Sequence, residues 1–506
     1  LGVFGQQNDG SVTAKRGTIL LMNTQDTPNS HNIRHPNDPN GRHHAHDDAT
    51  TEHTVHATAS LFRTSTITLL FQVLLVGLGF GISIILARWL GASGRGAYTL
   101  MLLTAMLLAR FGSLGIEVSN AYYAAHRDAP LPAMIANSLL VCLVVSVVLL
   151  GATFGITQLP AVQDYLARNY VPFPLFAAMV SIAFPASLLS FFFFGLLQGR
   201  EHVLGFNSIQ TTLNLMQAIM LLIFVVGLQW GLAGAVWGYV ISSLASVSVG
   251  GWFLSRITPF SLRPDLALLR RSLSYALVSY GTNVALFLNY RIDQFLVGYF
   301  LGAAEVGLYI VAVNLVERLW MIPESIAKIL FPRTSSRGTA EANIMTPRVA
   351  RTVFLMLLLL SSGLAVVAEP VVLLLFGEEF APATVALWWL LPGGMALGYG
   401  KILMNDLAGR GKPQLGLLGA VISLILMLAL NPIFIPRWGI AGSAVVSTIS
   451  YAAAAVVFLI AFVRVSGVPA TRLFTLTDED WQLYRSFIGN MMLKARKLLG
   501  RKARGG

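Results

Sequence analysis

The chain has 506 residues, a net charge of +12 and only 11% Asp, Glu, Lys and Arg, against roughly 25% in soluble domains. Its 55% hydrophobic residues, 46 glycines and mean hydropathy of +0.68 exclude a soluble enzyme, a disordered chain and a disulfide scaffold. The single Cys142 allows no internal disulfide.

Residues 1–60 read as a disordered cytoplasmic tail rich in Asn, Asp, Thr, Gly and Pro, with seven of the nine His between His31 and His56. The cluster His43, His44 and His46 is a candidate metal tract, but no second ligand pair stands at a fixed spacing, so a solvated tail is the stronger reading. No basic stretch leads into an apolar run, so no cleavable signal peptide is expected, and Met22 is a candidate internal start behind Leu1.

From about residue 65 the pattern is one of long apolar runs separated by short polar or Gly-rich breaks, the signature of spanning helices. Twelve are expected, at 65–87, 96–118, 132–155, 174–197, 206–228, 232–254, 273–299, 305–327, 352–376, 383–406, 414–435 and 440–463. The runs are continuous rather than alternating, which excludes a β-barrel. One alternate set of loops holds thirteen Lys and Arg, from Arg127 to Lys412, and the other only Arg88, Arg95, Arg168 and Arg437. Basic loops stay on the inside, so both termini are expected in the cytoplasm. In the last segment Trp481, Ile488, Met491 and Leu498 share one helical face, with Arg485, Lys494 and Lys497 around it, as in a helix lying on anionic lipid.

Three strings recur in order. Leu90-Gly91-Ala92 with Gly96 and Tyr98 returns as Leu301-Gly302-Ala303 with Gly307 and Tyr309, at an offset of 211. Leu197-x-Gly199-Arg200 returns as Leu407-x-Gly409-Arg410, and Trp230-Gly231-Leu232-Ala233-Gly234 as Trp438-Gly439-Ile440-Ala441-Gly442. The expected architecture is therefore an all-α polytopic membrane protein of about twelve transmembrane helices, written as two six-helix repeats around a central cavity. The domains are a tail over 1–60, bundles over 61–258 and 259–465, and a basic cytoplasmic tail with an amphipathic helix over 466–506. Pro185 and Pro392 break the fourth and tenth spans at matching places, marking a site or hinge. The pairs Gly77/Gly81, Gly234/Gly238 and Gly394/Gly398 read as helix contact faces.

Ile85-Leu86-Ala87-Arg88-Trp89-Leu90-Gly91 with Gly94-Arg95-Gly96-Ala97-Tyr98, Arg291-Ile292-Asp293-Gln294, and Ala408-Gly409-Arg410-Gly411-Lys412-Pro413 through Ile435-Pro436-Arg437-Trp438-Gly439 resemble the polysaccharide and lipid-linked oligosaccharide flippases of the multidrug/oligosaccharidyl-lipid/polysaccharide exporter superfamily. The resemblance covers about 65–465. It implies translocation of an undecaprenyl-diphosphate-linked oligosaccharide across a bacterial plasma (inner) membrane for cell-surface polysaccharide. The implied partners are the bilayer, that lipid, and a polymerase and glycosyltransferases of the same pathway. Many relatives have fourteen helices.

An ionisable residue at mid-span costs roughly 2.5–3.5 kcal/mol to insert, so it reads as a site facing the bundle interior. The candidates for binding a diphosphate are Arg110, Arg291, Arg318 and Lys401, since guanidinium groups hold phosphate oxygens in pairs. Arg110 and Arg318 fall at similar depths in matching helices and are expected to face each other. Structural ion pairs are the competing reading: Arg110 with Glu117, Arg291 with Asp293, and Arg318 with Glu317 or Glu324. Asp293 and Glu317 are candidates for coupling a proton or sodium ion. The neutral residues Gln72, Asn137, Gln210, Asn214, Asn283, Asn289 and Asn314 bind sugar hydroxyls or, more commonly, neighbouring helices. No phosphate-binding loop, spaced metal set or catalytic constellation is written in the chain, so no cofactor and no enzyme activity are expected. The positive charge is read as loops meeting anionic lipid rather than nucleic acid. The alternative reading is a drug/cation antiporter of the same superfamily, which needs an anionic cavity.

Overall fold

The computed structural model describes residues 44–482 except 322 and 327–337, together with 485 and 486; side chains are described from 71 onward, apart from 73, 278, 279, 338 and 339. The His31–His46 side chains, Met22 and the amphipathic stretch beyond Ser486 lie outside the described residues. Leu1–Phe62 forms one unit, described only as helix from His44, and Arg63–Gly506 forms a second, which holds everything that follows.

All regular structure among the described residues is helical. In chain order it comprises α1 (His44–Gly112), α2 (Ile116–His126), α3 (Leu131–Ile156), α4 (Pro160–Arg168), α5 (Phe173–Gly199), α6 (Val203–Gly227) and α7 (Gly231–Ile257). There follow α8 (Leu266–Phe300), α9 (Ala303–Leu319), α10 (Gly338–Val366), α11 (Ala368–Phe376), α12 (Ala383–Gly409) and α13 (Gln414–Ser466). Eight segments among the described residues are long and apolar enough to cross a bilayer. Two of them, Leu74–Gly112 and Gln414–Ser466, are sharply bent, at Gly91 and Gly439. Helices α8 and α12 fall outside that set and carry Arg291, Asp293, Lys401 and Asp406 within their length.

The recurring strings have a backbone reason. Gly91 (φ 65°) and Gly302 (φ 96°), like Gly231 (φ 54°) and Gly439 (φ 60°), hold positive φ at matching places, where a side chain would clash with the backbone. The chain turns there without leaving helix for long. Just past two of these turns, Gly234 and Gly442 let the backbone approach the carbonyls of Phe224 and Phe434, where an added Cβ would lie 2.9 and 2.3 Å from the oxygen. Gly394 and Gly398 likewise pack on Val316 and Leu357, whereas among the described residues nothing lies within 4 Å of a Cβ at Gly77 or Gly81. Pro185 follows a widened π turn, Met179–Ala183, consistent with the hydrogen bond its ring removes.

Two hydrophobic cores draw almost wholly on residues before 270, and the other two mainly on residues after 290. Ala87, Ala92 and Leu100 of α1 belong to the later pair. There α1 meets α9 through both copies of the first repeated string. A Cβ on Gly96 would lie 1.7 Å from the Ala303 carbonyl oxygen, and one on Gly307 would lie 2.0 Å from that of Ala92. Each copy thus seats its glycine on the other's backbone. Beside this contact Arg88 donates to the carbonyls of Leu374 and Leu375, and the Ala92 N–H donates to Glu379 Oε1 at 2.9 Å.

The segment after α13 is fastened to α10. Arg351 Nε and Nη2 donate to Asp480 at 2.7 and 3.1 Å, and Asp480 also accepts from the Thr477 N–H and hydroxyl. Burial pushes the Asp480 carboxyl up, but the Arg351 and Thr477 hydrogen bonds outweigh it and hold the group below its ordinary value. That contribution is present above the unfolded carboxylate pKa of about 3.9 and is lost as pH falls through the lower folded value. Asp480→Asn is expected to cost this fastening about 1.5 kcal/mol at neutral pH. Amide exchange over 470–482 should rise about tenfold; unchanged exchange would contradict the assignment.

Candidate functional site

Helices α1, α6, α8, α9 and α12 line a polar hollow of three adjoining compartments of about 290, 290 and 210 Å³. Arg318 lines all three, while Arg291 and Asn314 are shared by two of them. The hollow runs from Gln72 and Ser325 at one end, past Gly79, to Ser83, Arg95 and Thr99 beneath the Gly96/Gly307 contact. Four cations line it, Arg95, Arg291, Arg318 and Lys401, against two carboxylates, Glu317 and Glu324, among the described residues.

Each cation is held differently. Arg291 on α8 meets Glu317 on α9 with Nη1 2.6 Å from Oε1 and Nη2 3.3 Å from Oε2, a two-point pair that is partly exposed. Lys401 on α12 reaches Glu324 Oε1 at 2.5 Å and sits 4.2 Å from the Trp320 ring centroid. Arg318 has neither an ion pair nor a hydrogen bond among the described residues; its guanidinium lies over the Phe80 ring at 5.0 Å and against Gly79. A guanidinium with free donors facing a hollow is ready to take phosphate oxygens.

Arg110 lies elsewhere, in a second cavity of about 290 Å³ among α1, α5, α6 and α7, 3.3 Å from Glu117 and over the Phe191 ring. It does not line the compartments that Arg318 lines; Met106 and Gln210 border both spaces. Asp293 also faces away from the hollow. It is 1% exposed and accepts hydrogen bonds from Tyr309 (2.8 Å), the Gln294 N–H (2.8 Å) and Ser447 (3.4 Å). Of the competing ion pairs, Arg110 with Glu117 is present, whereas Arg291 takes Glu317 instead of Asp293, and Glu324 takes Lys401 instead of Arg318. The neutral residues divide. Gln72, Asn214 and Asn314 line the hollow, Asn137 ties the Asp265 backbone to α3, and Asn289 donates to the Ala420 carbonyl.

Arg95, expected in a loop, is among the described residues the largest fully buried side chain, 2% exposed, on the second half of α1, with Nη2 donating to Ser83 Oγ at 2.8 Å and Nη1 without a partner among them. The available signal was a charge inside a string that recurs without it: the matching place in the second copy is Val306.

The fold has clear likenesses. The inward closed conformation of the lipid II flippase MurJ superposes with a TM-score of 0.67 at 15% identity, over 85% of this chain and 100% of that one. An inward-facing multidrug resistance MATE family transporter of the MOP superfamily gives 0.62 at 17% identity, over 78% and 94%. The chain thus shares the fold of these two membrane transporters. More narrowly, residues 61–337, over half the chain, match the polysaccharide biosynthesis protein family, and the chain belongs to it. Agl15 of Haloferax volcanii, described as a probable low-salt glycan biosynthesis flippase, is 26% identical over 42% of this chain and 46% of its own length. The uncharacterized membrane protein MJ1068 of Methanocaldococcus jannaschii is 26% identical over 42% and 44%. The chain thus matches less than half the length of these curated relatives.

Proposed function

We propose that the chain moves a prenyl-diphosphate-linked oligosaccharide from the inner to the outer leaflet of a plasma membrane by alternating access. The observation that carries this is the excess of cations in a hollow lined by both repeats, with Arg318 unpaired inside it. The head of such a lipid must leave water while its tail stays in lipid, and fixed guanidinium groups replace the diphosphate's hydration. A cationic drug would gain nothing from that lining.

In this reading twelve spans form two six-helix bundles, α1 to α7 and α8 to α13, with the two bent helices α1 and α13 each crossing twice. Both termini are cytoplasmic, the Gly96/Gly307 contact seals the outer side, and the hollow is reached from within. The undecaprenyl carrier and bacterial inner membrane implied by family resemblance are the starting choice of substrate and setting. Arg291 is the group that changes partner: when diphosphate takes it, Glu317 is left free to take up a proton. Glu317→Gln is therefore expected to flatten the pH dependence of transport, while Asp293→Asn leaves it intact; the opposite result would move the coupling role to Asp293.

The decisive measurement is flipping of a fluorescent prenyl-diphosphate glycan in proteoliposomes, read as protection from a membrane-impermeant quencher. Transport by the parent chain above protein-free vesicles is expected, and no competition by organic cations. A rate equal to that of empty vesicles would overturn the proposal.

A further inference from the structure

We infer that Arg95 is a second anion site, at the closed end of the hollow, which takes the substrate's phosphate oxygens after Arg291 and Arg318 have bound them. The inference rests on reading the chain as a carrier of a phosphate-bearing lipid. Arg95 is 2% exposed, has no ion pair among the described residues, and leaves Nη1 without a hydrogen-bond partner while bordering the same compartment as Arg291 and Arg318. A buried, unpaired charge is costly and calls for a reason.

The fold itself does not need the charge. At the matching place of the second repeat stands Val306, wholly buried at the mirror position of the same contact. An apolar side chain fills that environment, so the guanidinium is an addition to the scaffold. Its shielding is also conditional. The Arg95 guanidinium lies 5.3 Å from the ring centroid of Phe376 and 5.6 Å from that of Phe380, both in the segment that Arg88 and Ala92 grip beside the Gly96/Gly307 contact. Parting of α1 from α9 and from that segment strips the rings from Arg95 and turns its free donors toward the opening. Arg291 and Arg318 also line the compartments away from the closed end, which Arg95 does not, so the three arginines form a path from a receiving site to a releasing one.

Flipping kinetics and thermal unfolding of Arg95→Met, Arg95→Lys and Arg318→Gln in full-length protein test this, with a fluorescent prenyl-diphosphate glycan as probe. Arg95→Met should keep the parent's Tm or raise it, lower kcat at least tenfold and leave KM within threefold. Arg95→Lys should recover part of kcat, and Arg318→Gln should mainly raise KM. Two results overturn the inference: transport by Arg95→Met at the parent rate, or a Tm lowered by several degrees in both Arg95 variants, which would make Arg95 a structural clamp between Ser83 and the two rings. Absence of flipping by the parent would refute the phosphate-lipid reading and this inference with it.

Discussion

Arg318→Gln is expected to reduce flipping of a prenyl-diphosphate glycan by at least tenfold with no loss of fold stability. Each hydrogen bond from a charged donor to phosphate is worth about 1.5–3 kcal/mol, so removing the guanidinium costs tenfold or more in binding. The fold should not suffer, because Arg318 holds no carboxylate among the described residues and its loss orphans nothing. Arg291 behaves differently. Its removal leaves Glu317 partly buried and unpaired, which should lower stability by about 1–3 kcal/mol as well as transport. The double variant Arg291→Gln/Glu317→Gln separates the two effects, since it removes the orphaned charge and should recover the Tm but not the transport. Normal transport by both Arg318→Gln and the double variant would remove the diphosphate from this hollow.

Gly307→Ala is expected to abolish the closed state that the structure displays. The added methyl carbon would stand 2.0 Å from the Ala92 carbonyl oxygen, and backbone cannot give way as a side chain can. Forced overpacking costs about 1–3 kcal/mol or more, enough to shift a two-state equilibrium by tenfold to a hundredfold. Helices α1 and α9 should part at this end, and transport should fall at least tenfold because one half of the cycle is lost. The accompanying readout is a cysteine at Thr99, which lines the hollow and is buried in this state. In a Cys142→Ala background it should react with an impermeant maleimide added outside when Gly307→Ala is present and not otherwise. Gly77→Ala serves as the control, since nothing among the described residues lies within 4 Å of its Cβ. Equal labelling with and without Gly307→Ala would show that the repeated glycines do not form a gate.

Helices and turns were legible in the sequence for a physical reason. Lipid leaves backbone groups no partner but each other, so every long apolar run had to be helical. Gly91 (φ 65°, ψ −176°) and Gly439 (φ 60°, ψ −143°) hold a backbone conformation that side chains with a Cβ rarely reach, so these bends stood out as recurring strings. The candidate arginines Arg291 and Arg318 were also visible, because charge in an apolar run is rare. Their surroundings were not. Arg291 takes Glu317, 26 residues away, over Asp293, two residues away, because neighbours so close in a helix point apart while α8 and α9 lie side by side. Arg110 and Arg318 stand at similar depths, yet depth along two helices says nothing of the direction in which a side chain leaves them, and Arg110 lines a neighbouring cavity that Arg318 does not reach.

What this sequence determined by itself is a helical membrane protein, an internal repeat, the glycine turns and a small set of charges that lipid would not tolerate without cause. Tertiary structure alone decided which of those charges are neutralised, that Arg95 belongs inside rather than in a loop, and that the two copies of one string close on each other. Periodicity and composition are properties of one segment at a time; partnership and enclosure depend on how segments far apart in the chain are brought together, and packing sets that.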